Sequence, residues 1–180
     1  MTVTKCIALL AIVTGVLVGC ATAPSSREDR QALLSDAAAR LKHMTAEDPA
    51  LTGLVQTSYG YALFPQLGKG GLGVGGGYGR GVVYERGRFV GYSDITQGSV
   101  GVQVGGQSFS ELLVFEHKAA LDRFRAGELT FAAGASAVVL KSGVATNARF
   151  VDGVAVVLSP IGGAMVEAAI GGQQFTYQQK

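Results

Sequence analysis

The sequence predicts an α+β domain: a mostly antiparallel, strongly curved sheet, barrel- or sandwich-like, with N-terminal helices and one short internal helix. Three observations carry this. Apolar residues Leu34, Ala37, Ala38 and Leu41 recur at helical spacing near the start. From Tyr61 onward, short apolar runs alternate with turn signals such as Asp152-Gly153. Between them, every second residue from Gly71 to Gly81 is glycine. Side chains alternate faces along a strand, so this stretch, if extended, has one bare face. Its other face carries Leu72, Val74, Gly76, Tyr78, Arg80 and Val82. The bare face serves the close approach of another backbone, or alternatively of a ligand.

The chain opens with Lys5 and an apolar run from Ile7 to Val18. The run is shorter than the ~20 residues of a membrane-spanning helix and fits a secretory signal. It ends at Leu17-Val18-Gly19-Cys20, which resembles a bacterial lipobox. Small residues admit the peptidase, and the Cys20 thiol is the nucleophile that takes the lipid, with a palmitate-type acyl chain added to the new N-terminus. The expected organisation is a removed lipoprotein signal peptide at 1–19, an acylated cysteine and linker at 20–26, and one domain at 27–180. Ala21 follows the cysteine where an aspartate would resemble an inner-membrane retention signal. The expected location is therefore the bacterial outer membrane, facing the periplasm. Cys6 leaves with the signal and Cys20 is acylated, so the mature domain has neither disulfide nor thiol ligand.

Ser25-Ser26-Arg27-Glu28 reads as a capping box with Ser25 as N-cap. The helix behind it runs to about Met44 and packs its shallow, alanine-rich stripe on its own domain, the alternative being an amphipathic helix that lies on a membrane beside the anchor. Asp48-Pro49 opens a second short helix that carries Leu51, Leu54 and Val55 inward and ends near Ser58. Candidate strands follow at 61–65, 70–84, 88–95, 99–107, 110–116, 130–141, 154–158, 163–170 and 173–178. Glu85-Arg86-Gly87-Arg88, Asp152-Gly153 and Gly171-Gly172 read as turns. Lys118 to Arg125 suits one short helix.

Several chemistries find no support. Basic and acidic side chains nearly balance, 15 against 13, which disfavours nucleic acid as a partner. Gly71-Leu72-Gly73-Val74-Gly75-Gly76 has dinucleotide-loop spacing, but the glycines after it make a poor helix, so no nucleotide is expected. His43 and His117 show no metal-ligand spacing, and no nucleophile elbow occurs. No cofactor, no metal and no enzymatic activity are expected. Among strand carboxylates, Asp94, Glu111 and Glu167, the last stands among apolar neighbours and reads either as a buried polar group or as an edge guard.

The glycine ladder lies in an ordered series. Before it come Tyr59-Gly60-Tyr61-Ala62-Leu63-Phe64-Pro65 and Gly68-Lys69-Gly70. After it come Tyr84, Gly91-Tyr92, the stretch Thr96 to Gln107, and Leu112-Leu113-Val114-Phe115. Over roughly residues 30 to 178 this series resembles the SYLF domain, a family described as lipid-binding, and in particular its bacterial lipoprotein branch. The resemblance implies a noncatalytic envelope lipoprotein that binds membrane phospholipid and helps organise the envelope. The alternative is a structural lipoprotein that binds another envelope protein and touches lipid only through Cys20. The candidate lipid contacts are Lys69, Arg80, Arg86 and Arg88, with Tyr78 and Tyr84 interleaved. Basic side chains can pair with phosphate, and tyrosine favours wet interfaces.

Overall fold

In a computed structural model, the structure describes residues 24–129, 131–132, 137–139 and 149–180. The signal, Cys20 and most of the candidate strand at 130–141 lie outside the described residues. Among the described residues, helices α1 (Arg27–Glu47), α2 (Ala50–Thr57) and α3 (Lys118–Arg125) accompany strands β1 (Gly60–Glu85), β2 (Arg88–Phe115), β3 (Phe131–Ala132), β4 (Ala137–Val139) and β5 (Val154–Gln179). The strands form one sheet in the order β1-β2-β5-β3, antiparallel along that path, with β4 parallel to β5.

The α+β class and the antiparallel sheet are as the sequence predicts. Of the two shapes expected, barrel- or sandwich-like, a closed barrel is not found: among the described residues the edge strands β1 and β3 share no ladder. Nor do the runs from 61 to 116 form separate strands. They merge into β1 and β2, whose register is interrupted at Phe64/Leu67, Leu72/Val74 and Val83/Tyr84. Pro65 falls at the first interruption and Gly73, at φ 71°, at the second, so these residues bend a strand instead of ending it. Gly171-Gly172 is likewise not a turn; both lie within β5, opposite Ser99 and Gly98.

The other turns follow local chemistry. Arg86-Gly87, at φ 49° and 74°, is a two-residue loop with both residues left-handed, the geometry whose twist matches antiparallel strands. Asp152-Gly153 repeats it at φ 51° and 76°. The α1 cap is Ser26, one residue beyond the expected Ser25; its hydroxyl accepts from the Asp29 N–H at 2.9 Å. The Asp48 carboxylate accepts from the Ala50 N–H at 3.1 Å and so opens α2. The boundaries of α3 match expectation, and His117 Nδ1 accepts from the Ala120 N–H at 3.2 Å.

Two cores lie on opposite faces of the sheet. One gathers Ala62, Phe64, Val83, Leu113, Phe115, Val154 and Val156 under α3 through Leu121 and Phe124. The other gathers Leu63, Val82, Tyr92, Leu112, Val114, Ala155 and Val157 under α1 and α2 through Ala37, Met44 and Leu51. Adjacent residues alternate between the two cores, as the strand period requires. Arg40 fastens α1 to the sheet: it donates to Ser110 Oγ at 2.5 Å and Ser159 Oγ at 2.7 Å.

Three glycines of the ladder, Gly77, Gly79 and Gly81, face the first half of β1. A Cβ on Gly81 would sit 2.6 Å from Phe64 Cδ1 and 2.7 Å from the Leu63 carbonyl oxygen. On Gly79 it would sit 2.7 Å from Leu67 Cγ and 2.8 Å from the Gln66 carbonyl oxygen. On Gly77 it would meet the Gly68 carbonyl oxygen at 3.1 Å. The second half of β1 therefore returns against its first half, at a separation that only a residue without a side chain permits.

Candidate functional site

That return organises the far end of the sheet. On β2, residues Ile95, Gln97, Ser99 and Gln103 point inward and are buried, whereas Val100, Val102 and Val104 point outward and are exposed. Opposite them on β1, Leu72 pairs with Val104 and Val74 with Val100. Leu72 is 81% exposed and Val102 75%. At the near end, this same outward face is covered by α1 and α2 and forms a core. Neither helix reaches its far end, so five apolar side chains face outward over a polar interior.

The interior is hydrogen-bonded. Ser99 donates its hydroxyl to Gln103 Oε1 at 2.8 Å, and Gln103 Nε2 donates to the Ser99 carbonyl at 3.1 Å. Gly75 makes room for this pair: a Cβ there would lie 2.5 Å from Gln103 Oε1. Deeper in, Gln97 Nε2 and Gln173 Nε2 donate to Glu111 Oε2 at 3.3 and 3.0 Å. Glu111 is fully buried and its Oε1 has no hydrogen-bond partner among the described residues. Burial raises its pKa from 4.5 to about 7, against a smaller lowering by Gln173. Among the described side chains, the buried strand carboxylate is Glu111. Glu167, which the sequence singles out, stands opposite Gln103 in the ladder, and its side chain lies outside the described residues.

The structure divides the six candidate contacts into groups. Tyr78 and Arg80 lie on the outward face of β1 just beyond Val74, and Arg80 Nε donates to the Tyr78 hydroxyl at 3.0 Å. Asp94 stands opposite Arg80 and offsets part of its charge. Lys69 is half-buried three residues before Leu72 and, with Ile161, lines a surface hollow. Arg86 and Arg88 sit at the β1–β2 turn; six residues of strand put Arg86 roughly 20 Å from Arg80. The Arg86 guanidinium lies 4.9 Å from the Tyr59 ring. Tyr59 donates to Glu85 at 2.7 Å, and Arg125 pairs with the same carboxylate at 2.8 Å. These two bonds, Arg125's first, hold the Glu85 carboxyl below its ordinary pKa.

Tyr84 is half-buried and stacks on Tyr61 with ring centroids 4.8 Å apart. Burial is the leading cause that pushes the Tyr61 phenol up to about 12 and raises Tyr84. Both rings help line a groove of about 420 Å³ between α1, α2 and β1, with Leu41, Lys42 and Val55. Its walls are mainly apolar, with Lys42 as the cation.

Among the described residues, no cluster of three or more His, Cys, Asp or Glu could hold a metal ion, and no helix is long and apolar enough to cross a membrane. His43 lies 3.4 Å from Glu47 on exposed α1, and His117 caps α3. Composition could not reveal the outward valines, since Val-x-Val-x-Val reads equally well as a buried strand face. Compared with known proteins, the chain matches no protein-family model and none of the curated proteins.

Proposed function

We propose that this chain is a noncatalytic lipoprotein of the bacterial envelope whose SYLF-like domain binds phospholipid. The observation that carries the reading is the outward apolar face of Leu72, Val74, Val100, Val102 and Val104. Removing one such side chain wholly from water is worth about 1.5–3 kcal/mol. Five adjacent ones form a surface that a lipid phase can cover. Anchorage through Cys20, at an outer membrane facing the periplasm, rests on the lipobox resemblance. The reading also takes the sheet as strongly curved, on the return of β1 against itself.

The test uses the domain from residue 22 onward, without its anchor. Cosedimentation with phosphatidylethanolamine vesicles, with and without phosphatidylglycerol, is expected to recover it in the pellet. A domain that stays in the supernatant with both would move the apolar face to an envelope protein partner, with lipid contact only through Cys20.

A further inference from the structure

We propose that the far end of the sheet enters one leaflet of the bilayer, with the apolar face of Leu72, Val74, Val100, Val102 and Val104 at the level of the upper acyl chains. The proposal rests on the phospholipid-binding reading and adds the element that enters and its depth.

The side-chain order along β1 matches the order of layers in a membrane. From Val74 the outward residues are Gly76, Tyr78, Arg80 and then Val82, which α1 covers. Apolar, aromatic and cationic side chains thus follow one another outward, as at a membrane interface where Tyr sits at headgroup level and cations at the phosphates. The Arg80–Tyr78 hydrogen bond fixes the two as one collar. Four residues from Val74 to Tyr78 span about 13 Å, less than the ~15 Å of one leaflet's hydrocarbon.

The polarity of this end also fits lipid better than water. Valines outside and Gln103, Ser99 and Gln97 inside invert a water-soluble sheet and match strands embedded in membranes. Charged residue types are scarce here: no Asp, Glu, Lys, Arg or His falls from Gly70 to Gly79 or from Ile95 to Ser110, and on β5 Glu167 stands at this level, opposite Gln103. Among the described residues β1 is an edge strand of the sheet. A backbone group without a partner cannot be placed in the hydrocarbon centre without water, so entry stops near the acyl carbonyls.

The start of the domain supports the same orientation. Val82 pairs with Tyr92, and the Arg30 guanidinium of α1 lies 5.9 Å from the Tyr92 ring. Arg30 also donates to the Pro24 carbonyl at 2.8 Å. The first described residue is thus held by a side chain at the row next to the Arg80 collar. Cys20 is four residues earlier, a reach of at most about 14 Å. An anchor there would bring the row of Val82 and Tyr92, and the Arg80 collar beside it, within reach of the membrane.

The chain contains no tryptophan, so one introduced indole reports its own position. The full lipidated chain carrying Val102→Trp, and separately Arg88→Trp, would be reconstituted in phosphatidylethanolamine–phosphatidylglycerol vesicles. The lipids would be brominated near the carbonyl end or near the methyl end of the acyl chains. The expected result is blue-shifted emission from Val102→Trp, quenched most by bromines near the carbonyl end, with Arg88→Trp unquenched. Because indole itself favours interfaces, Val100→Trp would be measured with and without Val102→Asp. Its quenching should fall at least several-fold with the aspartate, while circular dichroism stays unchanged.

Equal quenching at positions 88 and 102, or none at 102, overturns the proposal. If the anchor-free domain still pellets with vesicles in that case, phospholipid binding stands and only insertion fails. If it does not, both readings fall. Sedimentation of the wild type as a dimer that Val102→Asp dissociates would assign the face to a second copy and also overturn the proposal.

Discussion

Glu111 and the ladder glycines show what single residues decide. With its pKa raised from 4.5 to about 7, folded Glu111 holds its proton where the unfolded chain has released it. The folded state then binds more protons than the unfolded one between those values, so stability falls as pH rises through that window and levels off above it. Glu111→Gln should flatten this slope in denaturant titrations taken across the window. Near pH 8 it should leave the variant the more stable by up to about 3 kcal/mol. The glycines act by space. Gly81→Ala drives a methyl group into Phe64 and the Leu63 carbonyl, and should cost about 1–3 kcal/mol. Gly98→Ala meets nothing within 4 Å and should stay within about 0.5 kcal/mol, read from the same melting curves. The period-two glycines announce a close approach from sequence alone. What approaches them was not legible, because Leu63 to Gly68 reach them only through a bend at Gly73.

At the scale of elements, the helices and two-residue turns were readable because their signals are local. A serine before a helical stripe, or Arg-Gly between apolar runs, acts within a few residues. The long strands were not readable as continuous, since Pro65 and paired glycines signal loops unless a neighbouring strand holds the backbone extended. Gly171-Gly172 is held in that way by Ser99 and Gly98. The outward Val100, Val102 and Val104 escaped for a related reason: whether a strand face is covered depends on how far α1 reaches. Charge at the two ends of the second half of β1 can now be separated. Arg80→Glu should weaken cosedimentation with anionic vesicles at low salt more than Arg86→Glu and Arg88→Glu together. Added salt should shrink the difference, because exposed charges are screened over about 10 Å at 0.1 M. Equal loss from both ends would place the turn at the membrane as well.

For the molecule as a whole, the proposed membrane attachment would combine two weak points of contact. The lipid on Cys20 would hold the domain at high effective concentration beside the bilayer, so the apolar face needs only modest affinity of its own. Cys20→Ser should release the protein from membrane fractions, and an intact mass showing residue 1 retained or Cys20 unmodified would remove the anchor from the account. The β1–β2 ladder also bears on how the chain folds. Its pairs run from Glu85 and Arg88 at the turn to Gly60 and Phe115. Nucleation at Arg86-Gly87 closes the shortest loop in this ladder, and each further pair can then form beside the last, whereas β5 must return from beyond residue 153. The tight turn would therefore belong to the folding transition state. Gly87→Ala, which strains a residue at φ 74°, should slow refolding by more than it speeds unfolding.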